Sequence, residues 1–249
     1  MCCTDADKKR FADICANIGE LRRRSDGIGT LSERTLHAAI KKYIEPDEEK
    51  HERRVCGAFA DILDGSRIVE VQTRGFDRLR KKLDAFFGGY RVEIVYPIPY
   101  KKWIVWIDGS TGETTKRRKS PRKGSFCDCF FELYKLKPYL TNEKLSVRLM
   151  LVELEEYRLK NGWSADGKRG STRFERFPLA LEDEMVLRTP EDYRRLLPKD
   201  LPEEFTVKDF SEKTGLTVRR AGTAVNVLFS IGQLDRTGKK GRAWTYKVK

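Results

Sequence analysis

The sequence is most informative first in what it lacks. No apolar run approaches the roughly 18 residues that a membrane helix needs, and the chain opens without an apolar leader. Six cysteines are present, but they follow no spacing of a disulfide framework. Cys127-x-Cys129 is half of a zinc site with no second pair at a suitable distance, so ordinary reduced thiols are expected. Together these absences exclude a membrane span and a disulfide scaffold, and they point to a reducing cytoplasm. No internal repeat occurs, which excludes a solenoid. Acidic residues are the minority charge: 51 Lys and Arg stand against 38 Asp and Glu, for a net charge of +13 and a pI near 9.5. A surplus of that size favours a polyanionic partner, because each neutralised phosphate releases counterions.

What is present divides the 249 residues into three parts. Residues 1–29 are an N-terminal extension with a short amphipathic helix, since Phe11, Ile14, Ile18 and Leu21 recur at helical spacing. Residues 30–197 read as a mixed α/β domain with a basic insertion near 108–125. A helix over 31–44 is followed by a β-hairpin, Val55–Ile62 and Arg67–Thr73, turning at Asp64-Gly65. A helix over 75–87 then leads to a strand at 90–96, broken by Pro97-Ile98-Pro99, and a further strand at 103–107. Phe130–Leu140 reads as helical or irregular, Leu145–Tyr157 as a strand, 160–172 as a Gly-rich loop and Pro190–Leu197 as a short helix.

Residues 203–249 form the third part. Thr206 caps a helix from Val207 to Lys213 and Gly215 ends it; Thr217 caps a second helix over 218–231. Two strands, 234–237 and 243–248, flank Gly238-Lys239-Lys240-Gly241. From Phe205 onward Lys and Arg exceed Asp and Glu by seven, over half of the surplus of the whole chain. The Phe-Thr-x-x-x-Phe opening, the Thr-Gly-Leu turn and the Gly-flanked hairpin resemble the winged helix-turn-helix family. That resemblance implies a DNA partner, with Arg219, Arg220, Thr223 and Asn226 on a recognition helix and Lys239, Lys240 and Arg242 in the wing. A winged helix used for protein contact is the alternative.

The hairpin at 55–73 carries the candidate chemistry. Glu70 and Gln72 share one strand face, and Asp61 can approach across the turn. Two converging carboxylates can hold Mg²⁺ (or Mn²⁺), which prefers oxygen ligands, activates water and stabilises charge on a phosphoryl group. The order of elements over roughly 30–107 resembles the PD-(D/E)xK, or restriction-endonuclease-like, nuclease superfamily. The resemblance implies that Asp61 and Glu70 are metal ligands and that Gln72 takes the place of the usual Lys. Gln cannot be a general base near neutral pH; it can only orient water or substrate. Glu33, on the leading helix, would complete the catalytic set, although Thr30-x-x-Glu33 is also a capping box. Asp64 competes with Asp61 but is explained by the turn. Arg117, Arg118, Lys119, Arg122 and Lys123 are a second candidate DNA contact or else a solvated loop, and Trp103 and Trp106 are expected to pack against the sheet. The expected function is a Mg²⁺-dependent DNA endonuclease, which the resemblance admits as a homodimer. A non-catalytic DNA-binding regulator on the same scaffold and an interaction protein are the alternatives.

Overall fold

A computed structural model describes residues 3–24, 35–160 and 172–249. Glu33 and the Gly-rich stretch at 161–171 lie outside them. The described elements are helices α1 (Asp5–Arg24), α2 (Thr35–Ile44), α3 (Arg80–Phe86), α4 (Phe130–Leu133), α5 (Val207–Thr214) and α6 (Val218–Ser230). The strands are β1 (His51–Val55), β2 (Ala58–Asp64), β3 (Arg67–Val71), β4 (Arg91–Asp108), β5 (Arg118–Lys119), β6 (Leu145–Lys160), β7 (Thr172–Leu187), β8 (Phe205–Thr206), β9 (Leu234–Lys240) and β10 (Ala243–Val248). The fold is mixed α/β, with a large sheet flanked by helices and ordered β1-β2-β3-β4-β6-β7, β5 pairing with β4. A second sheet has the order β8-β10-β9. Among the described residues no helix is long and apolar enough to cross a membrane.

The chain forms two compact units, each discontinuous in sequence. One comprises Met1–His51, Pro97–Ser125 and Met150–Glu184; the other comprises Glu52–Tyr96, Phe126–Leu149 and Met185–Lys249. In the first, α1 packs on α2 through Phe11, whose ring meets Tyr43 edge-on at 5.3 Å. Phe11, Leu36, Ala39 and Ile40 are all buried, so α1 is part of a core rather than a loose extension.

In the second unit, β2 and β3 form the expected hairpin, Asp64 facing Arg67 across Gly65 and Ser66. Gly65 has φ +57°, the left-handed conformation that glycine adopts without cost. The expected single strand over 55–62 is instead two strands, because Cys56 and Gly57 (φ +50° and +78°) turn the chain between β1 and β2. From β3 the chain passes through a 3-10 turn at Phe76–Leu79 and α3 into β4, which runs parallel to β3 with Glu70 opposite Ile94. A parallel neighbour requires such a crossover. Ile68, Val69, Glu70 and Val71 are all buried, as expected of a strand covered on both faces.

β4 runs unbroken through Pro97 and Pro99, contrary to the expected break. Backbone groups of alternate residues point to the same side of a strand. Val95 accepts a hydrogen bond from Gln72 N–H on the β3 side (2.9 Å), and Pro97 and Pro99 face that same side. β3 has ended by then, so their missing N–H groups open no ladder bond.

Candidate carboxylate site and basic surfaces

The register of the hairpin decides which carboxylates meet. Ile62 lies opposite Val69 and Leu63 opposite Ile68; one further step along that register brings Asp61 opposite Glu70. Directly opposed residues share a face, with Cβ atoms roughly 5 Å apart. Asp61 is half-buried, and its Oδ2 accepts the Val71 N–H at 2.7 Å. Glu70 is only 2% exposed. Its Oε2 accepts from the Lys82 ammonium at 2.8 Å, while its Oε1 is buried with no hydrogen-bond partner among the described residues. Burial, and then the Asp61 charge, raise the Glu70 carboxyl to about 7 against the opposing pull of Lys82. An exposed carboxylate, that of Glu52 on β1, comes within 4.8 Å of that of Asp61. Glu52 is held at φ +50°, a left-handed conformation that is costly for a non-glycine residue.

Lys82 was not among the expected site residues. It projects from α3, where its ammonium also donates to the Phe59 carbonyl at 2.7 Å. A sequence signal for it exists: Lys82 falls three residues after Leu79 and four before Phe86, on the edge of the apolar stripe of its helix. Lys81 beside it made the choice ambiguous. The start of that helical segment is pinned by buried Glu132, whose Oε2 accepts the Phe76 N–H at 3.0 Å. The Arg80 guanidinium donates to the Lys135 carbonyl. Gln72 is not delivered to the carboxylates: its side-chain amide donates to the Arg74 carbonyl at 2.5 Å.

A buried carboxylate of opposite character sits in the other unit. Glu156 is fully buried. One oxygen meets Arg158 at 2.6 Å and Lys102 at 3.7 Å; the other meets Arg176 at 3.1 Å and Arg173 at 3.2 Å. Burial pushes this carboxyl up, but the four cations outweigh it and hold it at about 2.

The expected nucleic-acid residues fall into three environments. Around 116–123, Arg118 and Lys119 form β5 against Ile104 and Trp103, which orders a stretch that could have been only a solvated loop. Arg117 pairs with Glu155 (3.6 Å) and lies 4.4 Å above the Trp103 ring. Lys123 lies 4.4 Å above the Tyr100 ring, and Arg122 is exposed. Trp103 and Trp106 are half-buried, not core: Trp103 Nε1 donates to Glu153 (2.7 Å), and Arg158 lies 6.0 Å from the Trp106 ring.

On α6, the face expected to read bases is partly taken. Arg220 pairs with Asp128 at 2.6 Å and lies 5.8 Å from the Phe131 ring. Asn226 accepts from Lys137 at 2.7 Å. Thr223 bonds back to the Arg219 carbonyl (3.2 Å), and Arg219 stays exposed. The segment responsible is Phe126–Tyr139, a run of 3-10 turns around α4, which packs on α6 within the same unit. In the β9–β10 hairpin, by contrast, Lys239, Lys240 and Arg242 are exposed and in no ion pair among the described residues.

Residues 34–188 match a family model described as Domain of unknown function (DUF8091). The chain belongs to this family. The matched stretch holds Asp61, Glu70, Lys82 and Glu156, while the helix–helix–hairpin beyond residue 205 falls outside it. The chain is also similar to an uncharacterized protein of Treponema pallidum (strain Nichols), 29% identical over 235 residues, covering 88% of this chain and 87% of that one. No solved structure matches.

Proposed function

We propose that the protein is a Mg²⁺-dependent DNA endonuclease of the PD-(D/E)xK kind, and that residues 205–248 are a winged helix that contacts DNA. The observation carrying this reading is the state of Glu70. A buried carboxylate with an orphaned oxygen, facing a second carboxylate, is electrostatically incomplete. A divalent cation would satisfy Oε1, offset the repulsion from Asp61 and return Glu70 to its ionised form. Asp61, Glu70 and Glu52 offer oxygen donors, which suit Mg²⁺ or Mn²⁺. The path from the Glu70 strand through α3 into a parallel β4 supports the same reading.

Asp61 and Glu70 would hold the metal, with Glu52 close enough to Asp61 to contribute. When bound, the cation supplies an acidified water and charge compensation at a phosphoryl oxygen. Lys82 holds Glu70 Oε2 and keeps a positive charge beside the carboxylate pair. It thereby provides the ammonium that Gln72 does not. Asp61 is itself held by the Val71 N–H, so one oxygen of each carboxylate is restrained by a hydrogen bond.

The test is conversion of supercoiled plasmid by the purified protein with Mg²⁺ or Mn²⁺. Nicking or linearisation should fall at least hundredfold in Asp61→Asn and Glu70→Gln, fall strongly in Lys82→Met, and persist in Gln72→Ala. Cleavage that survives both carboxylate substitutions overturns the assignment. One observation favours the alternative, a non-catalytic DNA-binding regulator: the Gln72 amide is turned away to Arg74. Its signature is salt-dependent DNA binding with no cleavage under any divalent cation.

A further inference from the structure

The C-terminal cations differ in how far they are already engaged. On α6, Arg220 is neutralised by Asp128 and Asn226 is held by Lys137. In the hairpin, Arg236, Lys239, Lys240 and Arg242 are exposed and form no ion pair among the described residues, although the Lys240 charge acts on Asp209. Asp235, the one acid of the hairpin, is taken by Lys249 at 3.3 Å. Among these cations stands an aromatic surface. Trp244 is 42% exposed and Phe229 39% exposed. Lys239 lies 4.5 Å from the Trp244 ring, directly across the ladder. The Arg236 guanidinium bridges the two rings, 4.5 Å from Trp244 and 4.8 Å from Phe229. Trp244 and Phe229 thus form one partly exposed aromatic surface rimmed by cations, and it is a joined patch rather than a lone exposed residue that marks an interaction site.

From this juxtaposition we infer that the β9–β10 hairpin, rather than α6, is the face that takes DNA, and that it takes an unpaired stretch of strand. The inference rests on the DNA-contacting role proposed above for residues 205–248 and not on metal-dependent cleavage. Duplex DNA presents phosphates but hides its base faces in the stack. A ring flanked by cations matches the two things an unpaired strand offers together, a phosphate backbone and free base faces. A base stacks on Trp244 or on the Arg236 plane, as bases do on aromatic and guanidinium surfaces. Lys239, Lys240 and Arg242 neutralise the adjoining phosphates. Joined to the metal-dependent cleavage proposed above, this makes the substrate class DNA with a single-stranded end, flap or gap rather than intact duplex.

The experiment is fluorescence anisotropy of the full chain in EDTA. It compares a labelled single strand of about 20 nucleotides, a blunt duplex of the same sequence and a duplex with a 3′ overhang. The single strand and the overhang should bind at least tenfold tighter than the blunt duplex. Trp244→Ala should lose about tenfold on both of these substrates and little on blunt duplex. Trp244→Phe, which keeps a ring in the hairpin, should stay within threefold of the parent and so separates stacking from misfolding. Lys239→Ala with Lys240→Ala should weaken all three substrates and lower the salt slope by about two. Arg219→Ala with Thr223→Ala on α6 should stay within about twofold. Blunt duplex binding as tightly as single strand, an unchanged Trp244→Ala, or a larger loss from α6 than from the hairpin each overturns the inference. Because binding is read without metal, a protein that shows this preference yet never cuts refutes the nuclease reading alone. A protein that cuts plasmid but shows no strand preference refutes this inference alone.

Discussion

Glu70 and Glu156 are the same residue type at the same depth, 2% and 0% exposed, yet their environments drive them in opposite directions. Glu156 is surrounded by Lys102, Arg158, Arg173 and Arg176 and is held at about 2. Glu70 has Lys82 on one oxygen, no hydrogen-bond partner among the described residues on the other and Asp61 opposite, and rises to about 7. Burial penalises both anions; what differs is the number of opposite charges supplied in return. The first arrangement is complete and therefore structural. The second is short of positive charge, which is why a cation is proposed there. Burial of an acid is thus no guide to function until its countercharges are known.

The comparison is most severely tested at Glu156. Glu156→Gln should cost about 3 kcal/mol at pH 7 by leaving clustered cations without their anion, lowering Tm by roughly 5–10 °C. With its carboxyl held at about 2 against an ordinary 4.5, Glu156 contributes stability that is fully present above pH 4.5. That contribution is lost as the pH falls through about 2, so melting curves of parent and variant should converge in acid. A penalty that persists at pH 2 would mean that the cations are not what holds Glu156.

Glu70→Gln should do the reverse without metal. A carboxyl raised from 4.5 to about 7 penalises the folded state progressively as the pH rises from 4.5 through 7. The variant should therefore melt higher than the parent at pH 8, by an amount on the order of 1–3 kcal/mol, and equal it below pH 4.5. Mg²⁺ at about a hundred times its dissociation constant should stabilise the parent by about 2.7 kcal/mol and leave the variant unmoved. Melting temperatures with and without Mg²⁺ across pH 4–8 measure both effects. A variant that is less stable at pH 8, or that still responds to Mg²⁺, breaks the contrast.

A smaller effect is expected at Lys82, the cation that pairs with Glu70. Lys82→Met should leave the onset of the Glu70→Gln stability difference at 4.5 and extend its growth to higher pH, because the pull holding the folded-state carboxyl down is gone. The smallest belongs to Arg117→Ala, whose own side chain is 56% exposed although its partner Glu155 is only 16% exposed; it should change stability by less than about 0.5 kcal/mol. A larger loss there would show that the Trp103–Arg117 stack matters more than its exposure suggests.

The sequence by itself determined the elements whose causes lie within a few residues. Thr206 caps α5 with Asp209 in a reciprocal capping box, Gly215 ends it at φ +68°, Thr217 caps α6, and Asp64-Gly65 closes the β2–β3 hairpin. These depend on contacts three or four residues apart, which spacing reveals directly. That Asp61 can approach Glu70 across the turn was also legible, but the register was not, because the two residues of the turn are Gly65 and Ser66 rather than Asp64 and Gly65. Other features depended on where the chain runs afterwards. The continuity of β4 through two prolines required β3 to end first. The engagement of α6 required Phe126–Tyr139, some ninety residues away in sequence, to lie against it. The same holds for charge: the Lys82–Glu70 bond spans twelve residues, and the cations on Glu156 come from three strands. Only the tertiary structure could decide these, because the free energy of a buried charge depends on everything within a few ångströms of it, whatever its position in the chain.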